Sequence, residues 1–417
     1  MSRPSSSPSM CMLPWVHLHT WPNGNTYPCC LTPMEHISGN LNENTLEEIF
    51  NGEQQKKLRL EMLDGKKPES CIRCWKQEDD GGHSMRHRAN KSWSHYQDII
   101  ATTQPDGSVP EFKLPYWDFR FSNICNFKCR SCGPQLSSGW YGDTKKIALI
   151  ETGRSFLPDD IPKERNYDLW EQVLPHFQYV EEIYFAGGEP LIMEEHYRIL
   201  KELDRLGMHH VLIRYNTNFS EMRYKDLNVL DFWPKFKNIE IGCSVDGMHE
   251  QGEFIRSGFK WDQFVENRIK MKQKNSHAHF YVSCTTSIQN SFHIIPFHHE
   301  LVRLGLIDDY DKFFVNIVTE PMHLDMRILP KKYKRVLSEK YQQHIDFLDG
   351  GNRAPNASQG FKSLKTHMEQ DFKEDTEWFL NEFVYRMQML DKLRDENFVE
   401  VFDELRDMYY WQEIIDE

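Results

Sequence analysis

Phe121-Ser122-Asn123-Ile124-Cys125-Asn126-Phe127-Lys128-Cys129-Arg130-Ser131-Cys132-Gly133 is the stretch from which the rest of the chain can be read. It directly follows a strand-like run at 117–121. Cysteine spacings of four and three wrap one face of a cubane cluster, because thiolates prefer soft iron sites. No fourth cysteine lies nearby, so three thiolates would hold a [4Fe-4S] cluster and leave one iron open to an outside ligand. The alternatives are a zinc site, which needs a fourth ligand because structural zinc sites are closed, or unrelated core cysteines.

Around this loop the chain alternates two patterns. Strand patterns fall at 117–121, 182–185, 210–215, 239–245, 280–286 and 313–318, and helix patterns at 167–177, 194–206, 261–274 and 292–304. Such alternation implies parallel strand–helix units. Six of them predict an α/β fold, a partial (β/α)6 barrel, with a doubly wound sheet as the alternative. In a barrel the chemistry gathers at the C-terminal ends of the strands, where the 121–133 loop falls. The barrel core is assigned to 110–320. Before it come a Ser/Pro-rich loose tail at 1–10, a small cysteine-rich auxiliary domain at 11–80 and a polar linker at 81–109. After it, 321–417 reads as a helical C-terminal extension, with Phe379, Phe383, Met387 and Leu390 at helical spacing. Its end, 395–417, mixes acids with aromatics and reads as a packing helix, with a partner-docking face as the alternative.

Composition narrows the function classes. With 417 residues, 39% hydrophobic and 27% charged, the chain is an ordinary globular sequence. A net charge of -13 argues against a general nucleic-acid surface. No run of about 18 or more apolar residues predicts a membrane span. The N-terminal residues lack an apolar signal core, so a reducing, cytoplasmic setting is expected. There the ten cysteines are metal ligands or thiols rather than disulfides.

A second cysteine group precedes the barrel. Cys71-Ile72-Arg73-Cys74 is a two-ligand clip, and Cys11 and Cys29 complete a four-thiolate shell, with Cys30 as a substitute for Cys29. Four thiolates hold either zinc or a [4Fe-4S] cluster, and a segment this small benefits from a metal staple. A redox CxxC usually sits in a thioredoxin-like βαβ unit, which is absent here. Cys243 and Cys284 fall in predicted strands and read as core. His17, His19 and His249 are assigned no role.

The triad after a strand resembles the CX3CX2C signature of the radical S-adenosylmethionine (SAM) superfamily, with Ser131 where that family commonly has an aromatic. Ala186-Gly187-Gly188-Glu189-Pro190 resembles its Gly-Gly-Glu-Pro motif, which meets the SAM amino group; alone it is also a plain turn. Asn216-Thr217-Asn218 resembles its Thr-Asn-Gly segment, with Phe219 in place of glycine. Ser244-Val245-Asp246-Gly247 resembles the Ser-x-Asp-Gly motif, and Arg256 lies where related enzymes pair an arginine with the SAM carboxylate, a surface ion pair being the alternative. The first segment resembles the twitch domain, the shorter relative of SPASM. The matching residues are Cys11, 24–29, 39–41, 45–50, Leu58-Arg59 and 71–74, though this domain commonly follows the barrel.

The resemblance implies reductive cleavage of SAM at the first [4Fe-4S] cluster to a 5′-deoxyadenosyl radical, which abstracts hydrogen from a substrate. An auxiliary [4Fe-4S] cluster is implied at the N-terminal cysteines. A peptide or protein substrate and an electron donor of the reductase, flavodoxin or ferredoxin type are the implied partners. No membrane or nucleic acid is expected. The competing readings are a non-enzymatic protein stabilised by zinc or iron–sulfur, and a SAM methyltransferase without radicals.

Overall fold

The computed structural model describes residues 7–79, 81–161 and 168–410. The ends of the predicted tail and of the C-terminal extension, and the first residue of the helix expected at 167–177, lie outside the described residues. The chain divides into two compact units, and the boundaries cut across the expected domains. The first gathers residues up to 123, 159–214 and 235–238; the second gathers 124–158, 215–234 and 239 onwards.

In the first unit the strands run in the order Gly39–Asn40, Asn25–Tyr27, His17–Thr20, Tyr116–Phe119, Glu182–Phe185. The turn at Pro22-Asn23-Gly24 closes an antiparallel hairpin in which His19 faces Tyr27, and Gly24 takes the left-handed φ of 89° that glycine adopts without a Cβ clash. His17–Thr20 then pairs parallel with Tyr116–Phe119, His17 opposite Tyr116 and Thr20 opposite Phe119. The cysteine-rich segment thus extends the edge of the parallel sheet. An unpaired edge would leave backbone groups unsatisfied, and a segment this small has little else to bury. Beyond the hairpin the chain forms two helices, Leu46–Phe50 and Glu53–Leu63, parted at Asn51-Gly52. Thr45 and Glu48 cap the first reciprocally at 3.2 and 2.8 Å. Arg59, fully buried, donates to the carbonyls of Pro14 (2.9 Å), Phe50 (2.7 Å) and Gly107 (3.3 Å). It thereby ties this segment to the stretch expected as a linker, which folds into the helix Met85–Ser92 and buries Trp93, Ile100 and Val109. Where a loose tail is expected, Ser9 and Met10 are buried, and the Ser9 hydroxyl donates to the Met62 carbonyl at 3.2 Å.

In the second unit, Asn238–Cys243 (from Ile239 on), His279–Thr286 and Phe313–Ile317 pair parallel in chain order. The helices Trp261–Lys274 and Ile294–Arg303 connect them. All six expected strands are present, Leu212–Thr217 among them, with ends shifted by up to two residues. Within each unit, consecutive parallel strands are neighbours with no reversal of order. That suits the α/β partial barrel and not the doubly wound alternative, whose order reverses at a switch point. The C-terminal extension is helical as expected: Lys331–Asp349, Pro355–Glu369 and Thr376–Arg394. Among the described residues no helix is long and apolar enough to cross a membrane.

Candidate functional site

Cys11, Cys29, Cys71 and Cys74 line one cavity in the first unit, together with Leu13, Met85 and Arg86. Three separate segments bring them there. Cys11 precedes the short helix Leu13–Val16, Cys29 follows the strand Asn25–Tyr27, and Cys71 and Cys74 stand three apart at the start of the helix Ile72–Asp79, on one side. Burial pushes the Cys11 thiol well above its ordinary range and raises Cys29; it pushes Cys71 up to about 12, each helped by repulsion from neighbouring thiols. Four thiolates so placed need a cationic centre to coexist. Among the described residues no three His, Cys, Asp or Glu side chains converge as one metal ion requires. Four thiolates lining one cavity can hold either zinc or a cubane, which spreads its thiolates over outer iron corners. Arg86, over the Trp75 ring at 4.9 Å and paired with Glu78 at 2.6 Å, borders this cavity. Cys30 turns away: its thiol interacts with Asp118 and Arg120, and burial holds it far above its ordinary range. The four cysteines that share the cavity are thus those named from the sequence, with Cys29 and not Cys30.

Cys125, Cys129 and Cys132 sit on the loop after Tyr116–Phe119, in the second unit. Lys128-Cys129 pairs antiparallel with Arg256-Ser257, Cys129 directly opposite Arg256. Trp140 donates its indole N–H to the Cys129 carbonyl at 3.0 Å, and Ser137 its hydroxyl to the Phe127 carbonyl at 2.6 Å. A Cβ on Gly139 would lie 2.7 Å from the Phe127 oxygen and 3.3 Å from the Cys125 oxygen. Gly139→Ala must therefore shift the backbone that aims the triad. It is expected to cost about 1–3 kcal/mol and to lower the iron retained on reconstitution; wild-type iron content and melting temperature would contradict this.

The ribbon brings Arg256 Nη1 to 3.6 Å from Cys129 Sγ, while Nη2 and Nε engage Asp246 at 3.0 and 2.8 Å. Burial opposes the Arg256 charge, but Asp246 reverses the balance and holds its pKa above the ordinary value. Asp246 is itself fixed by the Thr285 N–H at 2.7 Å. Burial raises Cys129, which Arg256 offsets in part, and pushes Cys132 up to about 12. Asn218 donates to Asn126 at 2.9 Å, with its Nδ2 4.0 Å from Cys125 Sγ. Phe219, standing where the family has glycine, keeps a left-handed φ of 57°. That conformation is strained for a bulky residue; complete burial against Phe264 and Phe280 offsets it. The Ser244 N–H donates to the Thr217 carbonyl at 2.8 Å. The second unit therefore brings together the triad, Asn218, Asp246 and Arg256. Arg256 thus sits between the Cys129 sulfur and the Asp246 carboxylate, with N–H groups on both Nη atoms left to meet a further carboxylate.

Gly187-Gly188-Glu189-Pro190 follows Glu182–Phe185 in the first unit. Both glycines have positive φ, 79° and 47°. A Cβ on Gly187 would meet Arg120 Cδ at 2.8 Å. Glu189 is buried, and its Oε1 accepts from the Leu191 N–H at 3.0 Å.

Two features escaped the sequence reading. The first is a polar face on the parallel strands of the first unit. His19 Nδ1 lies 3.0 Å from Asp118, whose other oxygen is 3.1 Å from Arg120; Arg120 stacks over Tyr184 at 5.0 Å. His17, stacked on Tyr116, has its pKa lowered by burial to about 4. The i, i+2 spacing of 17 and 19, and of 116 and 118, is the signal that places them on one face. The second feature is a cavity of about 490 Å³ against Cys132 and Gly133. Trp140, Phe156, His323 and, from the C-terminal helix, Arg386 and Met389 line it.

Comparison with known proteins bears on the first of the two cysteine sets. Residues 11–75 match the family model of SPASM, an iron–sulfur cluster-binding domain. No curated protein sequence matches the chain. Similar solved structures include native anSMEcpe with bound AdoMet and the Cp18Cys peptide, at 16% identity and a TM-score of 0.35, covering 57% of this chain and 61% of that one. Streptococcus suis SuiB bound to S-adenosylmethionine is 14% identical at a TM-score of 0.36, covering 70% and 61%. TYW1 with a lysine-pyruvate adduct bound is 13% identical at 0.27, covering 54% and 71%. The chain spans about three-fifths of the length of the first two.

Proposed function

We propose that this chain is a radical SAM enzyme with an auxiliary iron–sulfur domain at its N-terminus. One observation carries the reading: a segment matching SPASM, whose four cysteines share a cavity, stands in one chain with a buttressed CX3CX2C loop after a parallel strand. When bound, a [4Fe-4S] cluster and SAM supply one-electron cleavage to a 5′-deoxyadenosyl radical. The chain's own residues hold, orient and shield. Cys125, Cys129 and Cys132 are the iron ligands, and Arg256 and Asn218 lie against their sulfurs. Gly187 and Gly188 permit close backbone approach, and Glu189 in the Gly-Gly-Glu-Pro loop is the acceptor for an ammonium. Pro190, Ser244 and Asp246 complete the SAM contacts that the family resemblance implies. Cys11, Cys29, Cys71 and Cys74 hold the auxiliary cluster.

A peptide or protein is the substrate class we favour, from the resemblance to enzymes with such auxiliary domains. A flavodoxin- or ferredoxin-type protein, or a reductase, is the proposed electron donor, in a reducing cytoplasm. The polar face carrying His19 and Asp118 is the proposed place for proton transfer, since Asp118 holds Nδ1 and orients the ring. The test is anaerobic reconstitution with iron and sulfide, then dithionite and SAM, assaying 5′-deoxyadenosine. Its production supports the reading. No product from a reducible cluster whose spectrum responds to SAM, with candidate peptides present, would sink it.

A further inference from the structure

The C-terminal extension reaches the triad loop through a set of buried ion pairs. Arg130, between Cys129 and Cys132, has a fully buried side chain. Its Nη2 contacts Asp391 at 2.9 Å and Glu396 at 2.5 Å, and its Nε donates to the Phe254 carbonyl at 3.3 Å. The guanidinium lies 3.7 Å over the Phe254 ring. Asp391 is a hub, because its second oxygen accepts from the Phe398 N–H at 2.8 Å and the Tyr409 hydroxyl at 3.1 Å. On the other side of Cys129, Lys128 meets Asp143 at 3.1 Å, and Asp143 also holds Arg394 of the C-terminal helix at 2.9 Å. Arg394 stacks over Trp140, whose indole donates to the Cys129 carbonyl. Around the loop, Lys128, Arg130, Arg256 and Arg394 are thus matched by Asp143, Asp246, Asp391 and Glu396.

A cation buried this deeply with hydrogen-bonded carboxylates is costly to leave unpaired. Its charge would act directly on a neighbouring iron–sulfur centre, whose potential follows local net charge, hydrogen bonding and solvent exposure. We propose that Arg130 and its C-terminal partners Asp391 and Glu396 are positioning residues of the triad cluster. The C-terminal helix clamps the loop and, by neutralising Arg130, holds the cluster's reduction potential low. The proposal rests on the radical SAM reading of the triad.

The charge logic gives opposite signs for opposite deletions. Asp391→Asn/Glu396→Gln removes two negative charges and is expected to move the midpoint potential of the triad cluster to more positive values. Arg130→Gln removes the cation and is expected to move it to more negative values. The experiment is a dithionite redox titration of the full-length reconstituted protein, following by electron paramagnetic resonance the signal that SAM perturbs. Asp391→Glu keeps the charge and is expected to stay near the wild-type potential. Structural loosening alone would shift both charge variants in the same direction, and that result, or no shift in either, would overturn the proposal. Wild-type protein without any SAM-perturbed signal would instead count against the radical SAM reading. Should the double variant fail to hold iron, the single Glu396→Gln substitution carries the same test, with a smaller positive shift.

Discussion

Wild-type protein is expected to hold about eight irons per chain, four for each [4Fe-4S] cluster, and the Cys125→Ala/Cys129→Ala/Cys132→Ala protein about four. That triad variant is expected to make no 5′-deoxyadenosine. The Cys71→Ala/Cys74→Ala protein is expected to keep the other four and to cleave SAM still. The two losses separate because each thiol set is built within its own unit. The triad loop keeps its shape without sulfur: Arg130 N–H donates to the Ile255 carbonyl at 2.8 Å, and the Trp140 and Ser137 bonds reach backbone oxygens. The helix after Cys71 is likewise held by atoms other than sulfur, the Trp75 indole donating to the Pro68 carbonyl at 2.8 Å. Iron and sulfide analysis beside the 5′-deoxyadenosine assay checks all three proteins. Loss of all iron from either variant would refute two independent sites, and SAM cleavage by the triad variant would refute its assignment.

Acid is expected to destabilise this protein more steeply than its carboxylates alone would. His298 is fully buried in the second unit, with Nδ1 3.1 Å from His344 Nε2 and Nε2 2.9 Å from the Tyr310 carbonyl. Its ring stacks on Phe313 at 4.3 Å. Burial lowers both His298 and His344 to about 3, and lowers His299 beside them. The folded state therefore keeps these rings neutral, while the unfolded chain takes up protons below a pH of about 6.5. Between that pH and the folded values the unfolded state binds more protons, so stability falls as pH falls. Each such group contributes a slope of about 1.4 kcal/mol per pH unit, and the pair roughly twice that. Urea unfolding from pH 7 to 5 measures it. His344→Gln, which leaves His298 a hydrogen-bonding neighbour and removes one titration, is expected to lower the slope by about 1.4 kcal/mol per pH unit. An unchanged slope would show that these rings do not govern acid stability.

Much of the candidate site is legible along the chain because its chemistry restricts residue type and spacing over short stretches. Three thiolates after a strand, two glycines before a glutamate, and a CxxC clip are local patterns. The six strands and their helices are local as well, since periodicity reports which face is buried. Phe219 shows the limit of such patterns: the motif's glycine is gone, yet its left-handed backbone persists under aromatic packing.

By itself the sequence determined the α/β class, the two cysteine sets, the segments resembling SAM contacts and the helical nature of the C-terminal extension. Only the tertiary structure decided that His17–Thr20 joins the sheet beside Tyr116–Phe119. It also decided that Cys29 faces the shared cavity while Cys30 faces Asp118, that Arg256 rests on Cys129 and Asp246, and that Arg130 meets a carboxylate 261 positions away. These are contacts between elements remote in sequence. Local composition and periodicity carry no information about which faces of those elements meet; burial, hydrogen bonding and charge pairing select them once the chain has packed.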